Sequence, residues 1–233
     1  MRDRSTPPAT RAAVRRASVS LDVVVLTPLG RGLAVLCVRA DPRARDKWIL
    51  PWDAPRGEES LDAGAARVAR AALGAGPAWL EQVVAIGDDR RHPADAELSV
   101  GYVALAPLGT GAPGGGAGAW FPIGELPQLP PRHRALVDAA ADAVRVRLDQ
   151  SPIAFRLLPP TFTLSELQEI YELLLGRRLH KASFRRALQA AYLVEPIDEW
   201  RSEGRGRPAQ LHRFAPRKRR GGRRGVRFEL LGG

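Results

Sequence analysis

Cys37 is the only cysteine among 233 residues. An intrachain disulfide is therefore excluded, as is any cluster of thiolate metal ligands, and a reducing compartment fits. Also missing is an apolar run of the roughly 18 to 20 residues that a membrane-spanning helix needs. Met1 to Ser18 is arginine-rich but lacks the hydrophobic segment of a secretory signal. These absences predict a soluble, cytoplasmic protein without a membrane partner. Acidic residues are in deficit: 25 Asp and Glu stand against 36 Lys and Arg, a formal net charge of +11. That balance attracts polyanions, nonspecifically and with strong salt dependence. The excess gathers at the two ends, chiefly after Arg177, while the middle from Asp53 to Asp149 is nearly balanced. The length allows one large domain or two modest ones.

Phe162 to Phe214 carries the clearest pattern. Thr163-Leu164-Ser165-Glu166 is a capping box, in which the threonine hydroxyl and the glutamate carboxylate satisfy backbone N–H groups of a first helical turn. Leu164, Leu167, Ile170, Tyr171 and Leu174 then recur at helical spacing, and Gly176 is placed to stop the helix. A second helix, from about His180 to Tyr192, puts Phe184, Ala187, Leu188 and Ala191 inside and Lys181, Arg185, Arg186 and Gln189 outside. Leu193-Val194 and Leu211 to Phe214 read as two strands of a hairpin with its tip at Arg201 to Pro208. Two helices followed by a basic hairpin make a winged helix-turn-helix, whose second helix lies in the major groove of DNA and whose wing reaches phosphates or the minor groove. The plainer reading of such arginines is a solvated helix face and a loop. Helix, wing and tail being basic together favours DNA.

Upstream, Met1 to Arg16 reads as a disordered arm. Val19 to Leu26 and Leu33 to Val38 are strands around a turn, Trp48 to Pro51 is a short strand, and Glu59 to Asp62 leads into an alanine- and arginine-rich helix ending near Gly74. Glu81 to Ile86 and Leu98 to Leu105 are further strands, with a turn-rich loop from Gly87 to Pro93 between them. Gly109 to Gly118 is glycine-rich but lacks the strand before and helix after that a phosphate loop requires. Arg132 to Leu148 is a long helix with Leu136, Ala140, Val144 and Leu148 on one face, and Ala215 to Arg227 is a basic tail.

The segment around residues 50–74 resembles a Nudix box. Leu50-Pro51 precedes it, Glu59 stands at the first glutamate, Arg67 at the arginine and Gly74 at the closing glycine, with the register intact. The chemistry is altered: Asp53 replaces the leading glycine, Val68 the glutamate after the arginine, and Ala71 and Ala72 the paired glutamates. Nudix hydrolysis needs those carboxylates to hold divalent cations that polarise a diphosphate and activate water. Glu58, Glu59 and Asp62 remain, at positions suited to capping and to the helix dipole. No catalytic residue, metal ligand or cofactor is therefore assigned.

Together with Phe162 to Gln168, Lys181 to Arg186, Gly206 to Ala209 and Leu211 to Phe214, these residues resemble the Nudix-related transcriptional regulators. The resemblance implies an α+β chain: a Nudix-like α/β/α sandwich with a mixed sheet, followed by a winged helix-turn-helix domain. The expected division is a basic arm over 1–17, a Nudix-like sensor over 18–130, a connecting helix over 131–150, the winged helix over 151–215 and a basic tail over 216–233. It further implies a homodimeric repressor on a palindromic operator in double-stranded DNA, with a pocket sensing a nucleotide such as ADP-ribose. Expected DNA contacts are Lys181, Ser183, Arg185, Arg186, Gln189, Arg205 and Arg207. Expected effector contacts are Arg39, Arg56 and Arg67 for a diphosphate and Trp52, or Trp48, for base stacking, although core packing suits the tryptophans equally well. Arg67, deprived of the neighbouring helix glutamates, is expected to be solvent-facing or open to an anion. Two rivals stand beside this: a Nudix hydrolase acting through residual carboxylates, and a nonspecific nucleic-acid binder relying on its tail.

Overall fold

The computed structural model describes residues 17–30, 32–41, 47–106, 118–202 and 208–215. Its first half is built on β1 (Val19–Leu29), a long strand in which nearly every side chain is buried. Alternation sends Leu21, Val23 and Val25 to one face and Asp22, Val24 and Leu26 to the other. The chain turns at Gly30, whose φ of 59° belongs to the left-handed region, and returns as β2 (Gly32–Arg39). β3 (Trp48–Ile49) pairs with the end of β2, and β4 (Trp52–Asp53) pairs antiparallel with β1, placing Trp52 opposite Asp22 and Asp53 opposite Leu21.

Helix α1 (Leu61–Leu73) starts at Ser60, whose side chain accepts the Ala63 N–H, and ends on Gly74 in the left-handed conformation. It buries Ala65, Val68, Ala69 and Leu73 against the Leu21, Val23 and Val25 face of the sheet. Gly64 lets it come close, because a Cβ there would collide with Leu21. β5 (Trp79–Ile86) and β6 (Leu98–Leu105) form an antiparallel pair, and β6 lies parallel to β1. β7 (Gly118–Pro122) pairs with β2. The result is a seven-stranded mixed sheet running β3-β2-β1-β6-β5, with β4 on β1 and β7 on β2.

Helix α2 (Pro131–Gln150) covers the opposite face with Leu136, Val137, Ala140, Val144 and Leu148. Its proline at the first helical position suits an end where N–H groups lack partners anyway. The core beneath α2 does not stop at the sheet. It continues through a 3-10 turn at Ile153–Leu157 into α3 (Leu164–Leu175) and α4 (Lys181–Ala191). β8 (Thr161–Thr163), β9 (Val194–Arg201) and β10 (Ala209–Phe214) form a second sheet in the order β8-β10-β9. Among the described residues no helix is long and apolar enough to cross a membrane.

The architecture agrees with the expected α+β class, and several strands differ from expectation. β9 runs to Arg201 where only Leu193-Val194 was expected as strand. β4 and β8 were not expected at all, and Gly118, the end of the glycine-rich segment, opens β7.

Candidate nucleic-acid interface and nucleotide pocket

α3 begins as its sequence requires. The Thr163 hydroxyl accepts the Glu166 N–H at 3.1 Å, and the Glu166 carboxylate accepts the Thr163 N–H at 2.6 Å through one oxygen. Its other oxygen accepts from Arg201 at 2.7 Å, so one glutamate ties the start of α3 to the far end of β9, where the hairpin turns. At the far end of α3, Glu172 accepts the Leu179 N–H and the Gln168 amide, holding the turn into α4. α4 sinks Phe184 and Leu188 into the core and leaves Lys181, Arg185, Arg186 and Gln189 exposed on its outer side. Ser183 is half-buried and lies within 3.3 Å of His180 Nδ1 and 3.5 Å of Arg186 Nη2. Burial, followed by the Arg185 charge, keeps the nearby His212 below its ordinary pKa. The expected contacts Arg205 and Arg207 lie outside the described residues.

The Nudix-box half departs from expectation at Arg67. Its guanidinium is not left unpaired but is engaged by two carboxylates. Arg67 Nη1 donates to Asp53 Oδ2 at 2.6 Å, Nη2 donates to Glu59 Oε1 at 2.5 Å and to the Ala54 carbonyl at 3.2 Å, and Nε donates to Glu59 Oε2 at 3.2 Å. The aspartate that stands where the family has glycine supplies one of these carboxylates. Arg56 Nη2 donates to the same Asp53 Oδ2 at 2.6 Å, and the Ala54 N–H donates to Asp53 Oδ1 at 2.8 Å. Desolvation would raise the Asp53 carboxyl, but the Arg67, Ala54 and Arg56 donors outweigh it and hold it below the usual carboxylate range. The hydrogen bond from Arg67 lowers Glu59 in the same way.

A Nudix divalent cation does not fit this helix. Val68 is packed into the core, Ala71 is exposed and Ala72 half-buried, and none offers an oxygen. Glu59 is engaged by Arg67 and by the Arg56 N–H, and Asp62 accepts the Tyr102 hydroxyl at 2.7 Å.

The expected effector residues are divided between the two faces of the sheet. Arg56 and Arg67 gather with Asp53 and Glu59 on the α1 side. Arg39 stacks its guanidinium 4.7 Å from the centroid of Trp48, which meets Phe121 edge-on and packs on the α2-side core. Trp52 is half-buried and meets the His92 ring edge-on at 5.0 Å.

That contact leads to a group the sequence did not disclose. Asp22, His92 and His133 are fully buried beneath the first turn of α2, and both histidine Nε2 atoms lie 3.0 Å from Asp22 Oδ1. Ser20 donates to Asp22 Oδ2 at 2.6 Å. The three side chains each present a metal-ligand atom, but their surroundings specify another use. The Leu50 N–H donates to His133 Nδ1 at 3.0 Å and the Ala94 N–H to His92 Nδ1 at 3.1 Å. Each Nδ1 is thus an acceptor, which leaves Nε2–H as the donor of each ring's hydrogen bond to Asp22. A metal would need those Nε2 lone pairs. Burial opposes charge on Asp22, but the His133, His92 and Ser20 bonds prevail and hold its carboxyl well below the ordinary range. Burial keeps His133 below its ordinary pKa, and so neutral. Beside it the buried Arg132 donates to the Ala96 and Asp88 carbonyls, at 2.5 and 2.6 Å, fastening α2 to the loop between β5 and β6.

The strand pattern around Asp22 held the missed signal. A carboxylate at a core-facing step of an apolar strand demands a buried partner.

Comparison with known proteins places this geometry. A family model described as the NrtR DNA-binding winged helix domain matches residues 154–214. The ADPR responsive transcriptional repressor NtrR of Acinetobacter baylyi is 32% identical over 206 residues, covering 84% of this chain and 82% of that protein. The chain belongs to the NrtR family of Nudix-related transcriptional regulators. The crystal structure of Shewanella oneidensis NrtR complexed with a 27mer DNA is similar to it, with a TM-score of 0.72 and 27% identity over 85% of this chain and 94% of that one. A MutT/nudix family protein from Enterococcus faecalis shares the fold, with a TM-score of 0.68 at 18% identity over 87% of this chain and 89% of that one. In NrtR terms, the first half is the Nudix-like domain and the matched segment is the winged helix.

Proposed function

We propose that this chain is a transcriptional repressor that binds operator DNA as a homodimer through α4 and the wing, and that its Nudix-like domain senses ADP-ribose or a related nucleotide without hydrolysing it. One observation carries the reading. A helix with an exposed Lys181, Arg185, Arg186 and Gln189 face stands on a core continuous with a Nudix sheet whose metal-ligand positions are alanine and valine. The similar NrtR structure holds DNA, and the similar repressor is ADPR responsive, which supports both halves. On DNA, Arg185 and Arg186 read guanine edges or grip phosphates, and Gln189 is suited to adenine. Arg205 and Arg207 enter the neighbouring minor groove or grip its phosphates.

Selection of bound DNA from a random pool, with and without ADP-ribose, tests this. The expected product is a palindromic consensus that ADP-ribose depletes. Recovery of unrelated sequences, with binding lost once residues after Ala215 are removed, would instead identify a nonspecific polyanion binder.

A further inference from the structure

We propose that the Asp53 carboxylate is a built-in counter-anion that a nucleotide's diphosphate displaces, and that the displacement is passed through residues 50–53 to the histidines under α2. The inference rests on the nucleotide-sensing reading above and specifies its mechanism. Asp53 is held as a bound phosphate would be: one oxygen takes a guanidinium N–H from each of Arg56 and Arg67, and the other takes the Ala54 backbone N–H. Paired guanidiniums and a backbone N–H are the donors that recognise phosphate oxygens. The place is open to solvent, the Arg56 side chain being 66% and Asp53 36% exposed. Glu59 remains on Arg67 after Asp53 leaves, so the guanidinium keeps its orientation.

The same short segment makes three successive contacts around the buried Asp22 group, on α2, on β1 and on the loop between β5 and β6. Leu50 N–H donates to His133, the Pro51 carbonyl accepts the Val23 N–H at 2.9 Å, and Trp52 rests on His92. Both histidines converge on one oxygen of Asp22. A shift of Asp53 away from its arginines therefore changes the hydrogen bonds that seat the first turn of α2, and α2 shares its core with α3 and α4. At His133 the joint is two-state rather than compliant, because its Nδ1 acceptor cannot move without leaving the buried Leu50 N–H unmatched.

The test uses the full chain and its operator. Asp53→Asn, and in parallel Asp53→Gly, should bind ADP-ribose and inorganic pyrophosphate about fivefold more tightly or better, since a competing charge is gone. Both should bind operator more weakly than the wild type when no nucleotide is added. His133→Asn, which retains an acceptor for Leu50 but loses the donor to Asp22, should bind ADP-ribose as the wild type does while ADP-ribose no longer alters its DNA affinity. Unchanged or weaker pyrophosphate binding by both Asp53 variants overturns the counter-anion. Full ADP-ribose control of DNA in His133→Asn overturns the relay. Tighter pyrophosphate binding by the variants, with no ADP-ribose binding by any form, supports the cradle and rejects ADP-ribose as the effector.

Discussion

His133 is neutral in the folded protein because it is buried, with Asp22 accepting the hydrogen bond of its Nε2–H. In the unfolded chain it titrates near an ordinary pKa of about 6.5. The folded value is the lower one, so the unfolded chain binds the extra proton first, and this contribution to stability is present above about pH 6.5 and is lost as the pH falls below it. Asp22, also depressed, adds a second loss only below the ordinary carboxylate range near 4. Thermal melts between pH 7.5 and 5 should show the melting temperature falling on acidification, and His133→Asn should flatten that slope while lowering the plateau. An equal slope in the variant would remove His133 from the cause. Of this joint only the need of a core-facing Asp22 for a buried partner was legible in the sequence; the partners lie 70 and 111 residues away and only the fold brings them together. Arg67 was misjudged for a related reason. Losing the helix glutamates suggested an unpaired guanidinium, whereas the replacement of a glycine by Asp53 supplied a new carboxylate from 14 residues away.

Among the elements, those specified by neighbouring residues were the legible ones. The capping box of α3 is local, and both of its hydrogen bonds form where the sequence places them. Thr163→Ala should cost about 1 kcal/mol of stability, measured by denaturant unfolding, since it leaves the Glu166 N–H without its acceptor. β9 was underestimated because Pro196, Asp198 and Glu199 contradict strand propensity. It lies at the edge of its sheet, where a missing N–H and solvated charges are tolerated. For α4 the exposed arginines make separable predictions. Arg185→Ala or Arg186→Ala should lower the ratio of operator to random-sequence affinity by about tenfold, read by fluorescence anisotropy, if the residue reads a base edge. An equal loss on both sequences would place it on phosphate instead. Glu166→Ala, which frees Arg201 as well as the cap, should weaken DNA binding beyond its effect on stability.

For the whole molecule, the order of layers and the winged helix were readable from periodicity, turn residues and the intact register of the Nudix box. The continuous core was not. Nothing in the sequence announces that Val24, Leu136, Leu148 and Tyr171 belong to one apolar body, which runs from beneath α2 into the winged helix and which the proposed coupling of a nucleotide site to a DNA surface would use. Coupling between two such sites is reciprocal: whatever factor a nucleotide takes from DNA affinity, DNA takes from nucleotide affinity. The central claim is that the Nudix-like domain reads a nucleotide and does not consume it. Its most direct measurement is a titration of ADP-ribose, in the presence of magnesium, into the protein on labelled operator, with DNA release and the integrity of the nucleotide followed in the same sample. The account predicts release of DNA while ADP-ribose remains whole. Conversion of ADP-ribose to AMP and ribose phosphate by the wild type, abolished in Glu59→Gln, would contradict it.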